Sequence, residues 1–224
     1  MADVVTDYAT GKFGKDLLAV IRDRCRPTTV AGNIDDASMK SLLIKLYSVN
    51  SVNDLPDFLA DNAVVGNAVF RTDNHILSSW FNQNNPDRNL AAADLYNIFP
   101  TTFDHRNQRQ EMPLFDNSDH RFGPGATPDG MYHVYQPGQQ WKGAIARMAL
   151  YVAAIYGTPS AWPGNGAIIF NDFEEYPLLS DRAITQYLKW HEAYPPDADE
   201  KERAQLIATL QGNINPFIVH PNLA

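Results

Sequence analysis

Apolar residues recur at helical spacing near the start of the chain. Phe13, Leu17, Val20 and Ile21 share one helical face that stops before Pro27, and Met39, Leu42, Leu43, Leu46 and Tyr47 repeat the spacing after Asp35-Asp36. Both stretches read as helices with a core-facing side. Residues 62–72 are instead rich in β-branched and aromatic side chains and read as a strand running into Asp73-Asn74-His75, with the polar stretch Asn82 to Asp87 as a loop. The clearest buried helix carries Trp141, Ile145, Met148, Ala149, Val152, Ile155 and Tyr156 on one face and ends at Gly157, before a Pro/Gly-rich loop to about residue 166. Ser180 is placed to cap a helix bearing Ile184, Tyr187, Leu188 and His191. Asp197 and Glu200 have capping-box spacing ahead of Leu206, Ile207 and Leu210, with Gly212 as the stop. This order, mainly helical with a few short strands in the middle, predicts an α+β fold.

Composition adds limits. The chain has 224 residues, 44% of them hydrophobic and 20% charged, which suits one domain spanning 1–224. Eighteen basic against 26 acidic residues leave a net charge of −8, which argues against a broad basic face for nucleic acid and confines phosphate recognition to a local site. No apolar run is long enough for a membrane span, and no basic-then-apolar leader follows Met1. The single Cys25 has no partner for an internal disulfide and leaves the compartment open.

Charge is more balanced in the middle of the chain. Between Arg71 and Arg109 there are four Arg (71, 88, 106, 109) and four Asp (73, 87, 94, 104), together with His75 and His105. A lone His after an apolar strand reads by itself as a hydrogen-bonded structural residue. The last residues change that reading. Gln211-Gly-Asn-Ile-Asn-Pro-Phe-Ile-Val-His-Pro221 is a low-degeneracy string that no general folding rule produces, and it resembles the C-terminal end of the endonuclease I family, secreted non-specific DNA/RNA nucleases with a ββα-metal site. Asp73-Asn74-His75 through Trp80-Phe81 resembles that family's REH-x-x-P-KSWF strand and turn, and Asp94 to Pro100 its DL-x-H-L-x-P. The segment Thr101 to Pro113 resembles its VN-x-x-R-x-N helix, Trp141-Lys142-Gly143 to Arg147 its FKGD-IAR helix, and Leu188 to His191 with Arg203 continues the match.

The resemblance implies a ββα-metal motif at about residues 64–113 and a phosphodiester hydrolase acting on DNA or RNA. In that scheme His75 activates water as general base, Arg109 stabilises developing charge, and a divalent Mg²⁺ or Mn²⁺ is held near Asn74 with Asn107 or His105. Arg106 and Arg147 are candidate nucleic-acid contacts. The resemblance also implies a secreted or periplasmic location. Two positions depart from the family pattern. Asn74 stands where the family has a metal-bound Glu, and alignment without gaps puts Arg106 on the metal-binding Asn, with Asn107 one residue later. A hard cation usually needs at least one carboxylate, so weak metal binding is expected. The alternative is a degenerate scaffold that binds nucleic acid or a protein without cleaving it.

Overall fold

A computed structural model describes residues 9–32, 34–81, 84–116, 134–157, 169–170, 176 and 178–224. The two N-terminal apolar stripes form helices α1 (Gly14–Cys25) and α2 (Asp36–Leu46), the second started by Asp35, whose carboxylate accepts from the amides of Ala37 and Ser38. Ile21 and Cys25 of α1 and Met39, Leu43 and Leu46 of α2 are buried. Phe13 departs from expectation. It precedes α1 in extended conformation and is 82% exposed, so the core-facing stripe starts at Leu17. Burial pushes the Cys25 thiol up to about 12, leaving it an inert core residue.

The expected strand lies further along the chain. Strand β1 spans Phe70–Asn74, whereas Val64 and Val69 are exposed and the earlier stretch makes only the isolated bridge between Pro56 and Val64. Helix α3 (Arg88–Ala93) leads to strand β2 (Ile98–Thr102), which pairs antiparallel with β1 from Phe70 opposite Thr102 to Asn74 opposite Ile98. Helix α4 (Phe103–Arg109) begins directly after β2, its first turn capped by Thr102, whose hydroxyl accepts from the His105 amide at 3.2 Å. The strand is displaced because pairing with β2 places the ladder across Asp73 and Asn74 and leaves the apolar residues of 62–69 without a partner strand.

Helix α5 (Lys142–Tyr156) is buried on every side; among its residues only Met148 is not buried, so the single apolar face read from sequence understates it. Helix α6 (Asp181–Ala193) packs along α5 and is capped by Ser180, whose hydroxyl accepts from the Ala183 amide at 3.1 Å. Helix α7 (Ala198–Gln211) starts at Asp197, which accepts from the Glu200 amide at 2.7 Å, and ends at Gly212 in the left-handed region with φ +74. The capping box is only half formed, since Glu200 turns away from Asp197 and pairs with Arg147. A last helix, α8 (Pro216–Val219), lies against α5 and α7. The expected loop to about residue 166 lies outside the described residues, as do Asn82 and Gln83. No described helix is long and apolar enough to cross a membrane.

These layers meet at Asp94, a fully buried carboxylate. It accepts from the hydroxyls of Tyr151 and Tyr156, each at 2.7 Å, from Gln211 Nε2 at 2.9 Å and from the Tyr96 amide at 2.9 Å. Gln211 Oε1 in turn accepts from the Leu95 amide at 2.8 Å, and Asn213 donates to the Cys25 carbonyl at 2.8 Å and to the Tyr151 hydroxyl at 2.7 Å. Asp94→Ala should strand these donors in the core and cost at least about 3 kcal/mol of stability. Urea denaturation monitored by tryptophan fluorescence checks this; a loss below about 1 kcal/mol would mean the network is dispensable.

Candidate nucleic-acid groove

The end of β1 and the last turn of α4 are joined by one side chain. Arg109 donates from Nε to the Met112 carbonyl at 3.0 Å, from Nη1 to Asp73 Oδ2 at 2.7 Å and the Asn74 carbonyl at 2.6 Å, and from Nη2 to the His75 carbonyl at 2.8 Å. Its side chain is 0% exposed and Asp73 is 2% exposed. The expected proximity of His75 and Arg109 is therefore present. The expected role of the Arg109 guanidinium is not supported by its position, because its hydrogen bonds are made to buried protein groups rather than toward solvent.

His75 follows β1 and donates its amide to the Asn97 carbonyl at 3.0 Å, while the Asn97 side chain accepts from the Ile76 amide at 2.9 Å and donates to the Ile76 and Ala91 carbonyls. The imidazole is 0% exposed and meets the Tyr187 ring edge-on at 5.6 Å. Neither ring nitrogen has a hydrogen-bond partner among the described residues. Burial, reinforced by the Arg109 charge, holds the His75 pKa well below the ordinary histidine value and keeps the ring neutral. Neutrality suits a general base, but the ring faces the core.

The other face of the motif is open. A polar groove of about 520 Å³ is lined by Asp73, Asn74, Leu77, Ser78, Ser79, Arg106, Asn107, Gln110 and Glu111. The structure thus brings together Asn74, Arg106 and Asn107 from the expected set and leaves His75, Arg109, His105 and Arg147 out of the groove lining. His105 points to Asp57, with Nδ1 at 2.6 Å from Oδ2. Arg147 is almost fully buried and forks onto Glu200, with Nε and Nη2 at 2.8 and 2.5 Å from the two carboxylate oxygens and Nη1 on the Tyr194 carbonyl at 2.9 Å, so it holds α5 to α7 and does not face a ligand. Gly143 serves the same contact, since a Cβ there would meet the Tyr194 carbonyl oxygen at 2.1 Å. Ser78 and Ser79 were not expected in the groove. Ser79 stands at the Ser of the KSWF string, and Ser78 has no sequence signal beyond the adjacent hydroxyl.

The groove offers a hard divalent cation few charged ligands, with Glu111 on its wall and Asp73 buried behind it. Asn74 and Asn107 offer neutral amides, and the Asn74 amide nitrogen is bound to the Ala92 carbonyl at 2.9 Å. Asp73 spends its oxygens on the Asn74 amide at 2.9 Å and on Arg109, with Arg106 Nε 3.7 Å away. No group of three or more His, Cys, Asp or Glu is arranged to hold a metal among the described residues. A guanidinium beside the amides adds a like charge to any incoming cation. Of the expected ligand set, His105 is engaged by Asp57 outside the groove lining, whereas Asn74 and Asn107 line the groove together with Glu111.

The buried ring makes a pH-linked prediction. With the folded pKa lowered, the unfolded chain binds the extra proton between that value and the ordinary one, so stability contributed by neutral His75 is complete above about pH 7 and falls by up to about 1.4 kcal/mol per pH unit below about pH 6. His75→Leu should flatten this slope and leave stability at pH 7 equal or higher, since two unpartnered polar atoms leave the core. Denaturation midpoints at pH 7.0 and 5.5 measure it; equal slopes in both proteins would show the imidazole to be solvated. Arg109→Met, which leaves Asp73 buried without its partner, should cost about 3–5 kcal/mol in the same assay.

Comparison with known proteins places these features in a family. Residues 28–222 match the endonuclease I family. The chain is similar to the extracellular ribonuclease of Bacillus amyloliquefaciens, 31% identical over 144 residues that cover 59% of this chain and 45% of that protein. It is 28% identical over 144 residues to the extracellular ribonuclease of Bacillus subtilis (strain 168), covering 59% and 46%. It is also 28% identical over 134 residues to the extracellular deoxyribonuclease of Aeromonas hydrophila, covering 58% and 51%. The chain spans about half the length of the curated relatives it matches. With a C-terminal motif built into the core, a two-stranded ladder running into a short helix, and a match that covers most of its length, this chain belongs to the endonuclease I family.

Proposed function

We propose that this chain engages DNA or RNA and that the groove between the end of β1 and α4 takes the sugar–phosphate backbone. The observation that carries this reading is Arg106, whose side chain is 50% exposed in a groove otherwise supplied with hydroxyl and amide groups. Such a lining suits a phosphodiester: one cation answers the charge, and the neutral donors of Ser78, Ser79, Asn107 and Gln110 are free to follow the backbone without reading base sequence. Family membership and the nuclease names of the relatives support nucleic acid as the ligand. The extracellular relatives support export. The net charge of −8 limits contact to this groove and makes binding modest and salt-sensitive.

Once the backbone is bound, the geometry favours retention without hydrolysis. The imidazole of His75 lies inside the core, and the groove offers a cation the single wall carboxylate Glu111 among amides and a guanidinium, with Asp73 already paired to Arg109. The second reading is hydrolysis with a divalent ion and His75 as base, and it is favoured by membership of the endonuclease I family. That reading requires water to reach the imidazole, which is buried in this structure.

Fluorescence anisotropy with labelled single-stranded and duplex DNA and RNA tests the binding claim. Saturable binding is expected at low salt, weakening steeply as salt rises; no binding to any of these probes at low ionic strength overturns it. Plasmid DNA and single-stranded RNA incubated with magnesium or manganese separate the two readings. Intact nucleic acid supports retention, while degradation that a chelator stops, and that His75→Ala slows by about 10²–10⁴, establishes hydrolysis.

A further inference from the structure

We infer that Arg106 stands in for the divalent ion of this groove, so that the phosphate site is built to work without metal. The inference rests on nucleic-acid binding at the groove and names how the anion is held. The guanidinium is the only cation among the groove's described lining residues. It lies beside Asp73, whose Oδ1 is 3.7 Å from Arg106 Nε while Oδ2 is fixed at 2.7 Å by buried Arg109. Asp73 is 2% exposed and Arg106 50% exposed, so the carboxylate sits behind the guanidinium and leaves its outer edge to solvent. The result is a two-tier arrangement: a buried Arg neutralises the Asp, and an outer Arg stands within ion-pair distance of the same carboxylate.

The substituted positions complement one another. Loss of a carboxylate at Asn74 removes the charge that would anchor a cation, and the Asn74 side chain is instead tied to the Ala92 carbonyl at 2.9 Å. Arg106 supplies the positive charge from the helix side of the same groove. A metal ion entering there would meet the guanidinium as a like charge and, Glu111 apart, find only neutral amides and hydroxyls as new ligands, whereas a phosphate would meet a planar fork able to bond two of its oxygens. Glu111 on the groove wall opposes an anion and holds affinity down.

Anisotropy titrations of a labelled single-stranded oligonucleotide in chelator, repeated across a salt series, test this. Wild-type binding should persist in chelator and gain nothing from millimolar magnesium or manganese beyond the effect of ionic strength. Arg106→Gln should weaken binding roughly tenfold and reduce the slope of log affinity against log salt by about 0.7, the value for one phosphate contact on a single strand. Arg106→Lys should recover the salt slope, and Glu111→Gln should strengthen binding. Lys201→Gln, the same charge change at an exposed position of α7, is the control and should leave binding nearly unchanged. The double variant Asn74→Glu with Arg106→Asn should make binding respond to manganese. Binding that requires a divalent ion in the wild type, or an Arg106→Gln effect no larger than that of Lys201→Gln, overturns the inference while leaving the nucleic-acid reading intact. Absence of binding by every variant and the wild type overturns the nucleic-acid reading itself. Thermal melting of each variant confirms that the altered affinity belongs to a folded protein.

Discussion

A carboxylate out of reach of water organises this molecule. Asp94 is expensive to bury, and the desolvation that raises its pKa is offset by two tyrosine hydroxyls, a glutamine amide and a backbone amide aimed at its oxygens. Those donors come from α5, from the end of α7 and from the turn that begins β2. Any displacement of one layer against another leaves a donor or the charge unsatisfied, so the network fixes their relative position more sharply than apolar packing alone. Because the turn after Asp94 runs straight into β2 and then α4, the same constraint sets where Arg106 and Asn107 stand.

A second ionic device acts at the edge of that frame. Arg109 collects carbonyls from Asn74, His75 and Met112 together with the Asp73 carboxylate, turning the junction of strand and helix into a rigid corner. The consequence is a division of labour between arginines close together in sequence. One is sealed and structural, and the other, a turn earlier on α4, projects into the groove.

Much of the frame was legible in the chain. Helical periodicity located α1, α2, α5, α6 and α7, and the caps Asp35, Ser180 and Asp197 with the stop at Gly212 stand where local backbone chemistry requires them. The β1 start was not, because β propensity in residues 62–69 reports apolar content and only the pairing partner decides which residues enter a ladder. The motif residues carried a different ambiguity. Arg109, Arg147 and Gly143 match the family string, yet a matched string does not say whether a residue is kept for packing or for ligand. Burial separates the two: the sealed arginines pair with Asp73 and Glu200, and the groove takes Arg106. Ser78 and Ser79 had no periodic signal, and their place in the groove became visible only when the turn after β1 folded against α4.

The reach of the Asp94 network in sequence has a kinetic meaning. Gln211 lies 117 residues from the carboxylate it satisfies, and Asn213 lies 188 residues from the Cys25 carbonyl it bonds. Contacts so distant are slow to form, because the loop that joins them must close before it is rewarded. On a ribosome emitting the chain in order, α5 and the ββα unit emerge with Asp94 still wanting a donor, and the core cannot lock until the end of α7 has cleared the exit. Until then Asp94 lacks the Gln211 amide, so the last step of core assembly waits on the C-terminal motif.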